Sequence, residues 1–411
     1  LVLIFVNNAK VHCLCEPFIA QDFEYFRDTI RYPRLYLPFF GIGKTLLATC
    51  VILLAIALGL SLEPAQTDSL PLSIFLGGII VLVAALLTWG VKARLPIVFD
   101  PEQDIALLGF LGNLIPYAMA ERSCPTLTSP YARHKNRFLS CPPTPLPHLV
   151  VVQSESFFDP RPWSPSIRRD LLPNLDALQV AARLHGKLEV PAWGANTVRT
   201  EFSFLTGMPP DFVGVHRFNP YRKLSHLPPY TLVRLLQEIG YRTLCIHPYP
   251  AGFYGRSRIF PGFGFDQFID IRGFDDQDKS GPYIGDQALA DKICAALAAS
   301  SSQPLLIFAI SMENHGPLHW EQALPEETKA YYSTPPPVGC ADLTIYLRHL
   351  RNADRMMGTL TQCLRPMERP SWLCWFGDHV PIMPNVYSYF GFPDGCTDYL
   401  LWSNQGSEAA G

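Results

Sequence analysis

The chain has 411 residues, a formal net charge of −3 and hydrophobic residues at 48% of its positions. A chain of this length exceeds a typical single domain, so two regions are expected. The small net charge and the lack of a basic block exclude nucleic acid as an expected partner. The N-terminal third is more apolar than the remainder, which predicts the boundary between the two regions.

The apolar N-terminal region, residues 1–120, is predicted to lie in a membrane. Residues 45–62 and about 70–91 each run without a charged side chain, and each is long enough to cross a hydrocarbon core about 30 Å thick. Residues 105–120 form a possible third span, although about 16 residues interrupted by glycine and proline fit a re-entrant or interfacial helix equally well. The chain opens on an apolar run without an initiator methionine, which we expect to be the end of an earlier helix.

The charges around these segments predict the side of the membrane that each part faces. The loop between the first two spans carries Glu63 and Asp68, whereas arginine and lysine precede and follow the spans. The positive-inside rule therefore places the loop outside and the basic flanks in the cytoplasm. A C-terminal region outside the cytoplasm then requires either that residues 105–120 cross as well or that the rule fails here. We expect a multi-pass protein of the cell (inner) membrane with an extracytoplasmic C-terminal domain.

Residues 121–147 are predicted to be a proline-rich, extended linker, because prolines recur through the stretch. The chain has 11 cysteines, and an odd number argues against a complete disulfide framework. Cys124 and Cys141 could pair across the linker, but unpaired thiols are the preferred interpretation.

Residues 148–411 are predicted to form a second, globular domain, because apolar runs typical of strands alternate there with helical patterns. The predicted strands are 149–152, 184–190, 241–247, 305–310 and 372–376. The predicted helices are 174–178, a helix from about 198, 230–239 ending at Gly240, 285–299 and 344–363. This alternation predicts an α/β fold with a mainly parallel sheet flanked by helices, which binds ligands at the carboxyl ends of its strands.

Candidate metal ligands follow the predicted strands. Glu155 follows the first strand and Asp378-His379 follow the last, while Thr197 lies in a small-residue turn before a helix. Taken singly, Glu155 fits a helix N-terminal carboxylate, Asp378-His379 a turn and Thr197 a helix N-cap. Taken together at successive strand ends, they favour one site for a divalent ion, Mn²⁺ or Zn²⁺, with Mg²⁺ also compatible.

Thr197 is the candidate nucleophile of this site. A hydroxyl is a poor nucleophile at its free pKa, and a base or a metal ion must activate it. Around it, His247, Tyr254, Arg256 and His315 are candidate contacts for a phosphate group. Arginine binds phosphate through its planar fork, which makes Arg256 the stronger candidate. A buried histidine bonded to the backbone is the alternative for His247.

Five motifs in order resemble those of the lipoteichoic acid synthase family, the membrane-anchored phosphoglycerol transferases of the alkaline phosphatase and sulfatase superfamily. They are Glu155-Ser156-Phe157, Asn196-Thr197 followed by Glu201-Phe202, His247 with Phe253-Tyr254-Gly255-Arg256, Asn314-His315, and Gly377-Asp378-His379. Two features depart from the family pattern: Tyr254 stands where the family has tryptophan, and the chain stops soon after residues 401–403.

The resemblance implies that residues 148–411 are a sulfatase-like catalytic domain in which Glu155, Thr197, Asp378 and His379 hold one divalent ion, preferably Mn²⁺. Thr197 would take a phosphoglycerol group from phosphatidylglycerol and pass it to an envelope glycan or a lipid-linked acceptor. His247, Tyr254, Arg256 and His315 would bind the substrate. The expected partners are a phospholipid donor, a glycan or glycolipid acceptor and the membrane.

Three alternatives stay open: a phosphoethanolamine transferase, a phosphodiesterase in which water resolves the intermediate, and a degenerate, non-enzymatic relative that serves envelope glycan assembly. Sulfate ester hydrolysis is not expected, because sulfatases proper place cysteine or serine in a Cys/Ser-x-Pro-x-Arg motif. The segment 197–201 of this chain, Thr-Val-Arg-Thr-Glu, does not fit that motif.

Overall fold

The computed structural model describes residues 2–33, 42–62, 72, 74–80, 82–83, 97–123, 127–140, 142–224, 229–300 and 303–405. The chain divides into two compact units, Leu1–Ser123 and Cys124–Gly411. The described helices of the first unit are Val2–Leu14, Phe23–Arg31, Ile42–Leu62, Pro101–Leu108 and Phe110–Ala120. In the part of the chain that the structure describes, no helix is both long and apolar enough to cross a membrane.

The structure differs among the three predicted membrane spans. Residues 45–62 fall within the helix Ile42–Leu62, whereas residues 70–91 lie mostly outside the described residues. Residues 105–120 belong to two helices that meet at Gly109, where φ is 72°. The buried Tyr117 hydroxyl donates to Asp104 at 2.8 Å and ties these two helices together. The number of membrane spans stays a prediction.

The stretch predicted as an extended linker contains a helix, Pro130–Ser140, so the prediction of an extended chain is wrong for these residues. Pro130 opens the helix, a position where proline is tolerated because the first turn leaves its amides without intrahelical partners. The Ser129 hydroxyl accepts from the amides of Tyr131 (3.1 Å) and Ala132 (3.4 Å) and so caps the helix. Cys124 and Cys141, the proposed alternative disulfide, lie outside the described residues.

A seven-stranded sheet forms the centre of the second unit. Its strands are β1 His148–Ser154, β2 Leu184–Leu188, β3 Arg242–Ile246, β4 Gln267–Ile269, β7 Leu305–Ile310, β8 Ser371–Gly377 and β9 Thr397–Ser403, and β5 Lys279–Ser280 and β6 Tyr283–Ile284 form a separate hairpin. The strand order in the sheet is β2-β9-β8-β1-β7-β3-β4; β1, β3, β4, β7 and β8 run parallel, while β9 is antiparallel to both β8 and β2. The prediction of a mainly parallel sheet is confirmed.

Helices cover both faces of this sheet, as predicted. Because side chains alternate along a strand, Val150 and Val152 of β1 pack into one apolar cluster and Val151 into the other. The first face is covered by the helices Pro173–Ala181, Asp286–Ala298 and Ala341–Leu364. The opposite face is covered by Thr197–Thr206, Leu232–Ile239 and Arg256–Phe263. Shorter helices are Pro220–Leu224, Pro325–Tyr331 and Pro384–Phe390.

Two predicted elements need correction. Residues 372–376 were predicted as the final strand, but β9 follows them and extends the sheet. Residues 184–190 form the shorter edge strand β2, which pairs only with β9. Strand β9 carries a weaker signal in the sequence because its burial partly alternates and polar residues begin and end it, whereas the buried parallel strands are continuous apolar runs.

Candidate active site

The register of two neighbouring strands places Glu155 beside Asp378 and His379. Ser154 ends β1 and pairs with Gly377, which ends β8. The next residues along the two strands, Glu155 and Asp378, therefore leave the same edge of the sheet side by side. Ligand atoms of Glu155, Asp378 and His379 all lie within 4.8 Å of one another, and all three side chains are buried.

Hydrogen bonds orient the three side chains towards one point. The His379 Nδ1 lies 3.0 Å from the Val380 carbonyl oxygen, which only accepts, so Nδ1 carries the proton and Nε2 presents a lone pair. That Nε2 lies 3.5 Å from Glu155 Oε1 and 3.6 Å from Asp378 Oδ2. The Asp378 Oδ1 accepts from the Ser156 amide at 2.8 Å, whereas its buried Oδ2 has no hydrogen-bond partner among the described residues.

These observations fit a divalent cation. A buried carboxylate oxygen without a donor is unfavourable unless a positive ion compensates it. Burial, and after it the Asp378 charge, raises the pKa of Glu155 to about 8. Two carboxylates and an imidazole lone pair are a donor set that Mn²⁺ and Zn²⁺ accept. Glu155, Asp378 and His379 therefore form a group that could hold a metal ion.

Thr197 is the first residue of the helix Thr197–Thr206 and lines a small cavity of about 30 Å³. Asn196 occupies the N-cap position in the left-handed conformation, with φ 67° and ψ 41°, so Thr197 is not the cap of its helix. The cavity is lined by Glu155, Ala195, Asn196, Thr197, His247, Phe253, Tyr254, Arg256, Ile310, Met312, His315 and His379. Seven of the eight residues predicted for the site line this cavity, and the eighth, Asp378, adjoins it through His379 and Glu155.

Backbone strain concentrates around this cavity. Three residues other than glycine have positive φ close to it: Ser156 (52°), Asn196 (67°) and Tyr254 (54°). Such conformations are unfavourable for residues with a Cβ and persist where the surrounding structure holds them, frequently at functional sites. The turn at Asn196 brings Thr197 into the cavity, and the Thr200 hydroxyl donates to the Asp378 carbonyl oxygen at 2.8 Å. The helix of the candidate nucleophile is thereby bonded to the chain of the candidate metal ligands.

Arg256, which lines the cavity, belongs to a buried ion pair. The Arg256 Nη2 lies 2.8 Å from Glu201 Oε2, and the exposed fractions of the two side chains are 2% and 0%. The Tyr221 hydroxyl donates to Glu201 Oε1 at 2.6 Å. The guanidinium also lies over the Tyr254 ring, 5.3 Å from its centroid. Arg256 is therefore fixed in one position against the cavity.

The two candidate histidines are both held in the neutral form. His247 Nδ1 lies 3.1 Å from the Ile310 carbonyl oxygen, so it donates the proton there, and Nε2 accepts from Arg256 Nη1 at 3.3 Å. Burial, and after it the Arg256 charge, lowers the pKa of His247 well below its ordinary value. His315 Nδ1 lies 2.7 Å from the Gly316 carbonyl oxygen, and burial lowers the pKa of His315 as well. His247 thus bonds the backbone, as its alternative interpretation predicts, and also contacts Arg256, while its contact with a phosphate group stays a prediction.

Sequence reasoning included Glu201 in a motif but gave it no role, and it did not identify Tyr221. The signal for Glu201 was present: it lies four residues after Thr197, so both side chains share one face of the helix. A carboxylate between the buried Thr200 and Phe202 also requires a partner. Its partner, Arg256, lies 55 residues away in sequence, and only the fold identifies it.

Comparisons with known proteins agree with this geometry. Residues 147–409 match the sulfatase family. Among curated proteins, the chain is 33% identical over 260 residues to the capsular polysaccharide biosynthesis protein RkpI of Rhizobium meliloti (strain 1021), across 62% of this chain and 45% of that protein. Because less than half of RkpI is covered, the match does not transfer the activity of the whole relative.

Two solved structures have a similar fold. The phosphoglycerol transferase GacH of Streptococcus pyogenes, in complex with sn-glycerol-1-phosphate, is 24% identical with a TM-score of 0.50, over 63% of this chain and 68% of that one. The lipoteichoic acid synthase LtaP of Listeria monocytogenes is 23% identical with a TM-score of 0.51, over 62% and 65% of the two chains. At these identities the similarity establishes the fold alone.

Proposed function

The chain belongs to the sulfatase family, and on this premise we propose that it is a metal-dependent transferase that moves a phosphoglycerol-type group from phosphatidylglycerol to an envelope glycan or a lipid-linked acceptor. The observation that carries the proposal is the convergence of Thr197, Glu155, His379 and Arg256 on one buried cavity. That set combines a nucleophile, a metal-binding group and a fixed cation, the parts that phosphoryl transfer requires.

The bound substrate phosphate would be oriented by this chain's own residues. Glu155, Asp378, His379 and the Thr197 hydroxyl would hold the ion, preferably Mn²⁺. When bound, such an ion supplies Lewis-acid polarisation of a phosphoryl oxygen and lowers the pKa of a hydroxyl. Arg256 presents a fixed positive charge to the phosphate. The neutral His315 contributes a further polar contact at the cavity wall.

The transfer proceeds in two displacements. The Thr197 oxygen attacks phosphorus and loses its proton, and the bond from phosphorus to the diacylglycerol oxygen breaks, so that protonated diacylglycerol leaves. The acceptor hydroxyl then attacks the phosphorus of the glycerophosphoryl-threonine and loses its proton, the bond from phosphorus to the Thr197 oxygen breaks, and that oxygen regains a proton. A covalent intermediate of this kind divides one difficult substitution into two easier ones.

The chemistry of the nucleophile favours phosphoryl over sulfuryl transfer. The family name covers enzymes that use different nucleophiles, and residue 197 of this chain is threonine without the proline and arginine spacing of sulfatases proper. A membrane location outside the cytoplasm, with a phospholipid as donor and a glycan or glycolipid as acceptor, belongs to the same proposal. Anchoring would bring the cavity close to a lipid headgroup.

Intact-mass measurement of the purified chain tests the proposal. The protein is incubated with Mn²⁺ and phosphatidylglycerol or phosphatidylethanolamine, beside a Thr197→Ala variant and a Thr206→Ala control, which removes a threonine hydroxyl from the end of the same helix. We expect a glycerophosphate adduct on the wild type and on Thr206→Ala, and none on Thr197→Ala. An adduct on Thr197→Ala contradicts the assignment of the nucleophile.

The other outcomes separate the alternatives. An adduct from phosphatidylethanolamine alone moves the assignment to phosphoethanolamine transfer. Release of free glycerophosphate without an adduct, at a rate that added acceptor does not change, indicates a phosphodiesterase. The absence of both an adduct and a released product with either lipid would contradict enzymatic turnover of these donors.

A further inference from the structure

A second cavity of about 390 Å³ lies in the same unit as the candidate active site and shares no lining residue with it. It is lined by Arg168, Asp170, Leu171, Pro173, Asn174, Ala330, Arg351, Asp354 and Arg355. Three arginines face two aspartates there. The volume is within the range of cavities that bind small organic ligands.

The two aspartates of this cavity are already engaged. Asp354 accepts from the Leu175 amide at 2.7 Å through one oxygen, and from the Asn174 amide and side chain through the other. Asp170 pairs with Arg168, with a shortest distance of 2.6 Å. Among the described residues, neither carboxylate forms an ion pair with Arg351 or Arg355, the two other arginines of the cavity.

Arg351 and Arg355 keep their positive charge without a carboxylate partner in the described part of the chain. They lie four residues apart on the helix Ala341–Leu364, so they share one face of it. Arg351 lies over the Tyr331 ring, 5.1 Å from the centroid, and Arg355 Nη1 donates to Asn352 Oδ1 at 3.1 Å. These contacts hold the side chains in place and leave guanidinium donors for an anion.

We propose that this cavity binds an anionic sugar, held by Arg351 and Arg355 through its phosphate or carboxylate. Arginine pairs both oxyanions in a bidentate manner. The apolar side of the cavity, formed by Leu171, Pro173 and Ala330, suits the face of a sugar ring. The cavity is much larger than a free phosphate ion requires. The assignment does not depend on the transfer reaction proposed above, and either can fail without the other.

Calorimetric titration of the full chain tests this site with glucose 1-phosphate, glucuronate and inorganic phosphate. The candidate active site is itself proposed to bind a phosphate group, so the comparison of the wild type with a variant that lacks Arg351 and Arg355 assigns binding to the cavity that these arginines line. We expect the Arg351→Gln/Arg355→Gln double variant to bind the preferred sugar anion at least about tenfold more weakly than wild type, the loss of roughly one charge-assisted contact. Arg365→Gln, an exposed arginine at the end of the same helix, should bind like wild type.

Each result has a defined meaning. Binding of glucose 1-phosphate alone identifies a phosphorylated sugar, and binding of glucuronate alone identifies a uronate. Equal affinities of the double variant and wild type overturn the site, provided that circular dichroism shows both proteins folded. No binding of either sugar to wild type at millimolar concentration, or binding of inorganic phosphate only, overturns the assignment to an anionic sugar.

Discussion

At the scale of single residues, the buried pair Glu201–Arg256 decides how the candidate site presents its positive charge. Removing two charges from water is unfavourable unless hydrogen bonds satisfy them. Glu201 receives donors from Arg256 and Tyr221, and Arg256 Nη1 faces His247 Nε2 as well. Glu201 therefore compensates the charge of Arg256. The Arg256 guanidinium also lies over the Tyr254 ring, and both residues line the cavity.

Replacing Glu201 with glutamine keeps the shape of the side chain but leaves the Arg256 charge buried and unpaired. We expect the free energy of unfolding to fall by about 3 kcal/mol, the typical effect of breaking a buried ion pair. Urea denaturation monitored by circular dichroism measures it. Asp276→Asn removes a fully exposed pair of similar length, Lys279–Asp276 at 2.6 Å, and should leave the unfolding midpoint unchanged. A Glu201→Gln protein as stable as wild type would show that the ion pair contributes nothing net.

At the scale of elements, the end of β8 packs closely against the loop after β1, and this contact sets the position of Asp378. Gly377 ends β8, and a Cβ there would lie 1.9 Å from the Phe157 carbonyl oxygen and 2.9 Å from the Thr397 Cβ. The carbonyl belongs to the chain that follows Glu155, and the Gly377 carbonyl oxygen accepts from the Thr397 hydroxyl at 2.8 Å. The close approach that a glycine permits thus brings the two carboxylates of the site together.

Gly377→Ala should separate these segments. We expect the free energy of unfolding to decrease by at least about 3 kcal/mol, at the upper end for overpacking, because the atoms that the new Cβ would meet belong to the backbone and to a strand and cannot yield. Thermal unfolding of the purified variants tests this. Gly112→Ala, in the helix Phe110–Ala120, meets only Leu108 Cβ at 3.6 Å and should be neutral or stabilising by up to about 1 kcal/mol. Equal midpoints for Gly377→Ala and wild type would contradict the close approach.

At the scale of the whole molecule, binding of a cation at the candidate site would increase the stability of the fold. An ion that binds the folded chain but not the unfolded chain stabilises it by mass action, by about 2.7 kcal/mol at a hundredfold excess over Kd. The three candidate ligands come from the ends of β1 and β8 at the middle of the sheet. Stabilisation there should therefore be seen in the unfolding of the whole second unit.

Removal and return of metal test this linkage. After chelation, addition of Mn²⁺ or Zn²⁺ should raise the Tm of the wild type by roughly 5 °C or more. Asp378→Asn should abolish the rise, because it removes the carboxylate whose Oδ2 has no other partner among the described residues. Asp291→Asn, an exposed carboxylate on the helix Asp286–Ala298, should retain it. A similar rise in Asp378→Asn and wild type would place the metal elsewhere.

The sequence by itself determined the buried parallel strands and the residues that follow them. Residues 305–310 were predicted as a strand and form β7 with the same bounds, because a strand covered on both faces must be apolar throughout. Glu155, Asp378 and His379 could be selected because polar residues directly after such runs emerge at one sheet edge. A continuous apolar run and its first polar neighbour are local features, which a sequence records directly.

Only the tertiary structure decided which distant residues meet. The pairing of Glu201 with Arg256, the pairing of β9 with β8 and the close approach at Gly377 each depend on contacts between segments far apart in sequence. Local periodicity encodes the burial of a residue but not the identity of its neighbour, since many partners satisfy the same pattern. Residue types therefore suggested the candidate nucleophile and metal ligands, whereas only the fold identified the ion pair between Glu201 and Arg256.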